Sequence, residues 1–295
     1  FPDEIQELMV DKDEKAGSPE GRMPSRLTFP PKAAFEAAVN SIKKSNRPVI
    51  IVGHGSRFHI PAIIELAEML NAPVLTTFKG KGLIGDHHPL GCGVLGRSGT
   101  PVASWFMNES DQLIVFGASF SQHTGITPKK PTIQIDHDPQ MLAKFDPVDH
   151  LLLGDIEVTA KELSKALMGA TKTINQRPDV AARWKIWRAE KLNRLKDSDK
   201  HGVSSIAVFD TLTKLADKDA IMCVDVGNNA YSFGRYFEST KQQFLMSGYL
   251  GSIGFALPAS MGAWTAVKNT KQIIAVAGDG GLGQYLGEIT TLVKY

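Results

Sequence analysis

The chain has 295 residues, 42% hydrophobic and 22% charged, a composition that suits a globular protein of two domains and excludes fibrous or low-complexity classes. Its 33 basic and 31 acidic residues nearly balance, without a long basic run or aromatic–basic alternation, which argues against nucleic acid as a partner. Two distant cysteines, Cys92 and Cys223, exclude a disulfide framework and fit a reducing cytoplasm, and no apolar run is long enough to serve as an integral membrane segment.

In chain order, residues 1–32 ("FPDEIQELMVDKDEK…") are rich in charge, proline and glycine and lack a period, so they read as a surface connector. Their acidic start has no apolar core and is not a signal peptide. Residues 33–170 then alternate. "AAFEAAVNSIKKS" has helical spacing, "RPVIIVGHG" is a strand, "IPAIIELAEMLNAP" a helix and "PVLTTF" a strand. "SWFMNES" follows as helix, then "DQLIVFGA", "PTIQIDHDP" and "HLLLGD" as strands, and "IEVTAKELSKALMG" as helix. Short apolar strands alternating with amphipathic helices predict right-handed βαβ units on a parallel sheet.

Residues 171–202 hold a basic helix, "VAARWKIWRAEKLNRLK", whose Trp184 and Trp187 lie one turn apart, as a connector docking on a neighbour would require. From 203 to 295 the alternation resumes, with strands "AIMCVDVG", "QQFLMSG" and "QIIAVAGDG" and a final helix starting near Gly283. Only three strands fit into this part. The predicted class is α/β, with two doubly wound parallel-sheet domains, the second incomplete.

Open parallel sheets bind ligands at the C-terminal ends of their strands, and glycine-rich turns stand at several of those ends. Gly53-His54-Gly55-Ser56-Arg57 brings main-chain N–H groups close to a phosphate, although a tight βα turn without ligand uses glycine in the same way. In the long loop Thr76–Gly96, Asp86, His87 and His88 suggest a metal site less strongly than a turn. Asp136 and Asp138 end a strand, where an acid either accepts from a ribose hydroxyl or caps the next helix.

The last turn, Gly278-Asp279-Gly280-Gly281, is more specific. Glycines admit an anion, and Asp279 offers a hard oxygen to Mg²⁺ or Ca²⁺, or else caps the following helix. Gly227-Asn228-Asn229 and Ser247-Gly248…Gly251-Ser252-Ile253-Gly254 belong to the same rim if the strands are parallel. Together they predict a cradle for a metal-bridged diphosphate.

With these motifs in hand, the whole chain resembles the thiamine diphosphate-dependent 2-oxo acid enzymes, the group of pyruvate oxidase and acetohydroxyacid synthase. "GDGG" resembles the family's cofactor motif, which implies Asp279 as a Mg²⁺ ligand and Gly278, Gly280 and Gly281 at the diphosphate. "DVGNN" and "GSIGFALPAS" imply the same role for Gly227, Asn228, Asn229, Gly251 and Ser252. Ile253 would be the apolar wedge that bends the cofactor; without the resemblance it reads as ordinary core. The first alternating region resembles the central domain that carries FAD in some members and ADP or nothing in others. That places Gly55, Ser56, Thr77, Lys79 and Gly80 near a dinucleotide and Asp136 and Asp138 at its adenosine end, while Ser119 stands where the synthases usually have arginine.

The resemblance further implies a pyrimidine-binding domain ahead of "FPDEIQE", with the catalytic glutamate, and a second metal-binding side chain after Tyr295. The 295 residues by themselves are therefore expected to be inactive. The expected activity is decarboxylation of pyruvate or a related 2-oxo acid, first as in pyruvate oxidase, then as in acetohydroxyacid synthase, with a noncatalytic nucleotide-binding module as the other class. The family's assembly implies a homodimer or homotetramer of the full protein.

Overall fold

The computed structural model describes residues 3–9, 11, 13, 17, 27–125, 127, 129–196 and 202–295. After a single helical turn, α1 (Asp3–Gln6), the first domain runs α2 (Lys32–Lys44), β1 (Pro48–Val52), α3 (Ile60–Leu70), β2 (Val74–Thr76), β3 (Gly91–Val94), α4 (Pro101–Glu109), β4 (Gln112–Phe116), β5 (Thr132–Asp136), β6 (His150–Leu153) and α5 (Ile156–Leu167). Its strands form one parallel six-stranded sheet in the order β3-β2-β1-β4-β5-β6. Strand order reverses between β1 and β4, the place where such a sheet opens a crevice.

The apolar runs are continuous because both faces are covered. Ile50 and Val52 of β1 point toward α2, α3 and α5, while Val49 and Ile51 point toward α4 and the connector helix α6 (Arg177–Lys196). Trp184 and Trp187 of α6 are buried in that second layer, and the Trp184 indole donates to Gly91 O at 2.7 Å, so the predicted docking is borne out.

The second domain comprises α7 (Ser205–Leu215), β7 (Ile221–Val224), α8 (Asn228–Tyr236), β8 (Gln243–Met246), α9 (Ala256–Val267), β9 (Ile273–Val276), α10 (Asp279–Gln284) and α11 (Ile289–Lys294). Its sheet is parallel, three-stranded and ordered β8-β7-β9. Phe209, Phe233 and Phe237 fill one face, whereas α9 covers the other through Ala259, Ala263 and Val267. β8 and β9, both edges, stay half-exposed, as do Tyr285, Ile289 and Leu292 of the closing segment.

Three sequence expectations need correction. β3 was not anticipated, because Gly91-Cys92-Gly93-Val94 lies inside a glycine-rich stretch that reads as loop. The closing helix starts at Asp279, not near Gly283, and breaks at Tyr285, where one 3₁₀ turn separates α10 from α11. A helix does not follow Asp138; the segment there is a series of turns. Much of the 1–32 connector, and residues 197–201 of the linker, lie outside the described residues. The connector's end is tied down where Asp155 N donates to Thr28 O at 2.8 Å.

Buried ion pairs join the domains. Lys81 meets Asp86 at 3.2 Å, and the same carboxylate oxygen accepts from Ser239 N at 2.7 Å and Ser239 Oγ at 3.0 Å. Glu238 accepts from Arg188 at 2.8 Å and from Lys191, both on α6.

Candidate functional site

At the strand-order reversal, β1 and β4 end so close together that side chains do not fit. A Cβ on Gly53 would lie 2.1 Å from Gly117 O, and one on Gly55 2.9 Å from Gly117 Cα. The bare backbone opens into a cavity of about 560 Å³ lined by Gly55, Thr77, Lys79, Ser119, Asp136 and Asp138, among others. Its wall continues onto the second domain through Gly227, Ala230, Tyr231 and Ser247–Gly251. One crevice therefore touches the ligand-binding edges of both sheets. Lys79 spans the join, since a Cβ on Gly248 would lie 2.2 Å from its Cγ.

Charge in the cavity is divided. Burial, and then the nearby Lys79 and Arg57 charges, holds the His54 imidazole below its ordinary value, so it is neutral at pH 7. At the other end, burial raises the Asp136 carboxyl despite a hydrogen bond from Asp138 N at 3.0 Å. Asp138 accepts from Gln140 N at 2.9 Å, capping a turn. Ser56 and Gly80 are buried and are not part of the cavity wall: Ser56 packs under Gly117, and Gly80 sits against Val52 O and Thr77 Oγ1. Thr77 accepts from Gly80 N at 3.2 Å, shaping the turn that presents Lys79.

On the second sheet the three glycine turns do meet. The β7 turn and the β9 turn approach where a Cβ on Gly278 would lie 3.1 Å from Asn229 Nδ2. The β8–α9 loop approaches the β9 turn where a Cβ on Gly280 would lie 3.5 Å from Ile253 Cδ1. Holding them together is Asp225, at the end of β7 and buried, a residue that sequence reasoning passed over. Its carboxylate accepts from Gly254 N at 3.0 Å and from Val226 N at 2.8 Å, and a Cβ on Gly281 would come within 2.2 Å of it. An acid directly after a strand and ahead of a glycine-asparagine turn was the available signal.

Around this knot the chain is open. Gly227, at φ 88°, and Gly251, at φ 73°, would meet nothing within 4 Å if given a Cβ, and Ser252 N is turned to Ser247 Oγ at 3.0 Å. Asn228 and Asn229 begin α8, whose first N–H groups have no intrahelical partners. Ile253, expected as the cofactor wedge and as ordinary core only without the family resemblance, is 48% exposed. Asp279 is exposed and has no hydrogen-bond or ion-pair partner among the described residues. The residue before it, Gly278, occupies the α10 cap position and makes no side-chain cap bond, so Asp279 is not the cap.

These residues fit a magnesium diphosphate: a free carboxylate, orphan N–H groups and glycines facing open space. Among the described residues no group of three His, Cys, Asp or Glu side chains gathers for a metal, so Mg²⁺ at Asp279 would complete its shell with diphosphate, main-chain or water oxygens. His87 and His88 take other partners: His88 lies 3.6 Å from Glu68 and His87 3.6 Å from Glu238. No helix among the described residues is long and apolar enough to cross a membrane.

The model for the central domain of thiamine pyrophosphate enzymes matches residues 35–163, and that for their C-terminal TPP-binding domain matches residues 225–295. A probable acetolactate synthase large subunit of Methanococcus aeolicus is 32% identical, over 100% of this chain and 53% of its own. The acetolactate synthase isozyme 3 large subunit of Escherichia coli K12 is 27% identical over 90% of this chain and 47% of its own. The putative thiamine pyrophosphate-containing protein YdaP of Bacillus subtilis is 29% identical over 90% and 46%. The chain thus spans about half the length of the curated relatives it matches. It belongs to the thiamine pyrophosphate enzyme family, as a central domain followed by TPP-binding-domain sequence.

Proposed function

We propose that the protein is a thiamine diphosphate- and Mg²⁺-dependent enzyme of the acetolactate synthase type, joining two 2-oxo acids after decarboxylating one. The observation that carries this over the pyruvate oxidase-like expectation is the run of relatives bearing the acetolactate synthase name, one of them aligned along the entire chain. Bound at the second sheet, thiamine diphosphate supplies an electron sink for the carbanion left when CO₂ departs.

The chain's own residues bind and orient. Asp279 holds the metal, while Gly227, Asn228, Asn229, Gly251, Ser252, Gly278, Gly280 and Gly281 let main-chain donors approach the diphosphate. Ile253 presents an aliphatic side chain in the open part of the cradle, where it restricts the cofactor's shape. Asp225 positions the loop carrying Ile253 by accepting from Gly254 N.

In the central domain, Gly55, Thr77 and Lys79 line the phosphate end of the large cavity, and Asp136 and Asp138 its ribose end, for FAD or ADP. Ser56 and Gly80 shape the turns beneath. The cavity volume, about 560 Å³, is that of a cofactor site. A homodimer or homotetramer is proposed for the complete enzyme.

Product analysis of the complete protein, given pyruvate, thiamine diphosphate and Mg²⁺, tests the reading. Acetolactate is the expected product. Peroxide with acetate or acetyl phosphate, and no acetolactate, would overturn the synthase assignment in favour of an oxidase.

A further inference from the structure

We propose that a second, smaller pocket, between the start of α4, the middle of α6 and the end of α8, binds a small oxyanion. It is an open cleft of about 190 Å³ that shares no wall residue with the large cavity. Two arginines line it, Arg194 of α6 and Arg235 of α8, together with Ser104 and Trp187.

Both arginines are held in place by part of their donor set. Arg235 donates Nε to Gly99 O at 3.2 Å and Nη2 to Arg97 O at 2.9 Å. Arg194 donates Nε to Glu190 at 2.9 Å and Nη1 to Tyr236 Oη at 3.3 Å. A guanidinium carries five N–H groups in a rigid fork, so each arginine keeps donors beyond those used. Glu190 is the single carboxylate bonded to either of them among the described residues, which leaves the pair with excess positive charge.

Trp187 lines the pocket and reports on it. It is 3% exposed, and its indole Nε1 is buried without a hydrogen-bond partner among the described residues. The Nε1 is sealed from the pocket, so Trp187 meets it through its ring, with Arg194 Cζ 5.6 Å from the ring centroid. The wall also includes Thr100, Pro101 and Ser104 of the first turn of α4, where Thr100 caps Ala103 N at 3.1 Å. Free phosphate and a small carboxylate share the required chemistry.

Titrating the ¹⁵N-labelled chain separately with sodium phosphate and sodium acetate, at ionic strength matched with sodium chloride, tests the site. The Trp187 indole resonance is identified by its loss in Trp187→Phe. A saturable shift of that resonance is expected with at least one of the two anions, and which one responds identifies the ligand as phosphate or carboxylate. Arg194→Gln should weaken the response at least tenfold, and Arg194→Lys should restore part of it. No shift of the wild-type Trp187 indole by either anion, or an unchanged titration in Arg194→Gln, would overturn the proposal.

Discussion

Asp225 shows how much a single buried side chain decides at this rim. One carboxylate receives two main-chain N–H groups and excludes any residue larger than glycine at 281. Removing it leaves those donors without an acceptor, at a cost of about 1–3 kcal/mol. Asp225→Ala should therefore lower the urea-unfolding free energy of the second domain by that amount and weaken thiamine diphosphate binding, measured by calorimetry. Unchanged stability and binding would show that the turns hold each other without it. The strand-end positions of Asp279, Gly227 and Gly251 were legible in the sequence because glycine-rich turns after apolar runs are a local pattern. Asp225 stands in the same kind of local pattern, but its role was not legible, because that role depends on Gly254 and Gly281, far away along the chain. Hydrophobicity alone would place Ile253 in the core, because it reports a preference for burial, and this loop leaves the side chain half in solvent.

At the level of elements, the strands with β-branched runs were readable and the glycine-rich strand was not. β1 and β4 are short, apolar and bounded by glycine, so their existence and parallel pairing follow from pattern alone. β3 has glycine at two of its positions and is defined by its pairing to β2, a tertiary fact with no local signature. At the break, Tyr285 packs beside the β8–α9 loop, where a Cβ on Gly254 would strike its ring at 2.3 Å. The junction of β1 and β4 carries the element-scale prediction. Gly53→Ala forces a methyl group against Gly117 O, and overpacking of this kind costs about 1–3 kcal/mol. Thermal melts should show that loss, together with loss of the nucleotide binding proposed for the large cavity. A variant with wild-type melting and nucleotide affinity would mean that the junction yields easily.

Across the whole molecule, buried charge fixes one domain against the other. Burial by itself would raise the Glu238 carboxyl, but hydrogen bonds from Arg188 and Lys191, and their charges, outweigh it and hold the group below the usual glutamate range. A carboxylate with a depressed folded-state pKa contributes stability above its unfolded value, and that contribution disappears as pH falls through the folded value. The wild-type melting temperature should thus drop as pH falls below about 4. Glu238→Ala strands Lys191 in the interior and should cost about 3 kcal/mol or more at pH 7, with a flatter acid limb. If wild type and variant show parallel pH profiles, Glu238 is not the group responsible.

Three turns meet at one rim of the smaller sheet, where Asp279 is proposed to hold a metal-bridged diphosphate. Isothermal titration of the 295-residue chain with thiamine diphosphate tests this most directly. Saturable binding is predicted with Mg²⁺ present, weakened at least tenfold when EDTA replaces the metal and to a similar degree in Asp279→Ala. Absence of binding, or equal affinity with and without Mg²⁺ and in the variant, would contradict it.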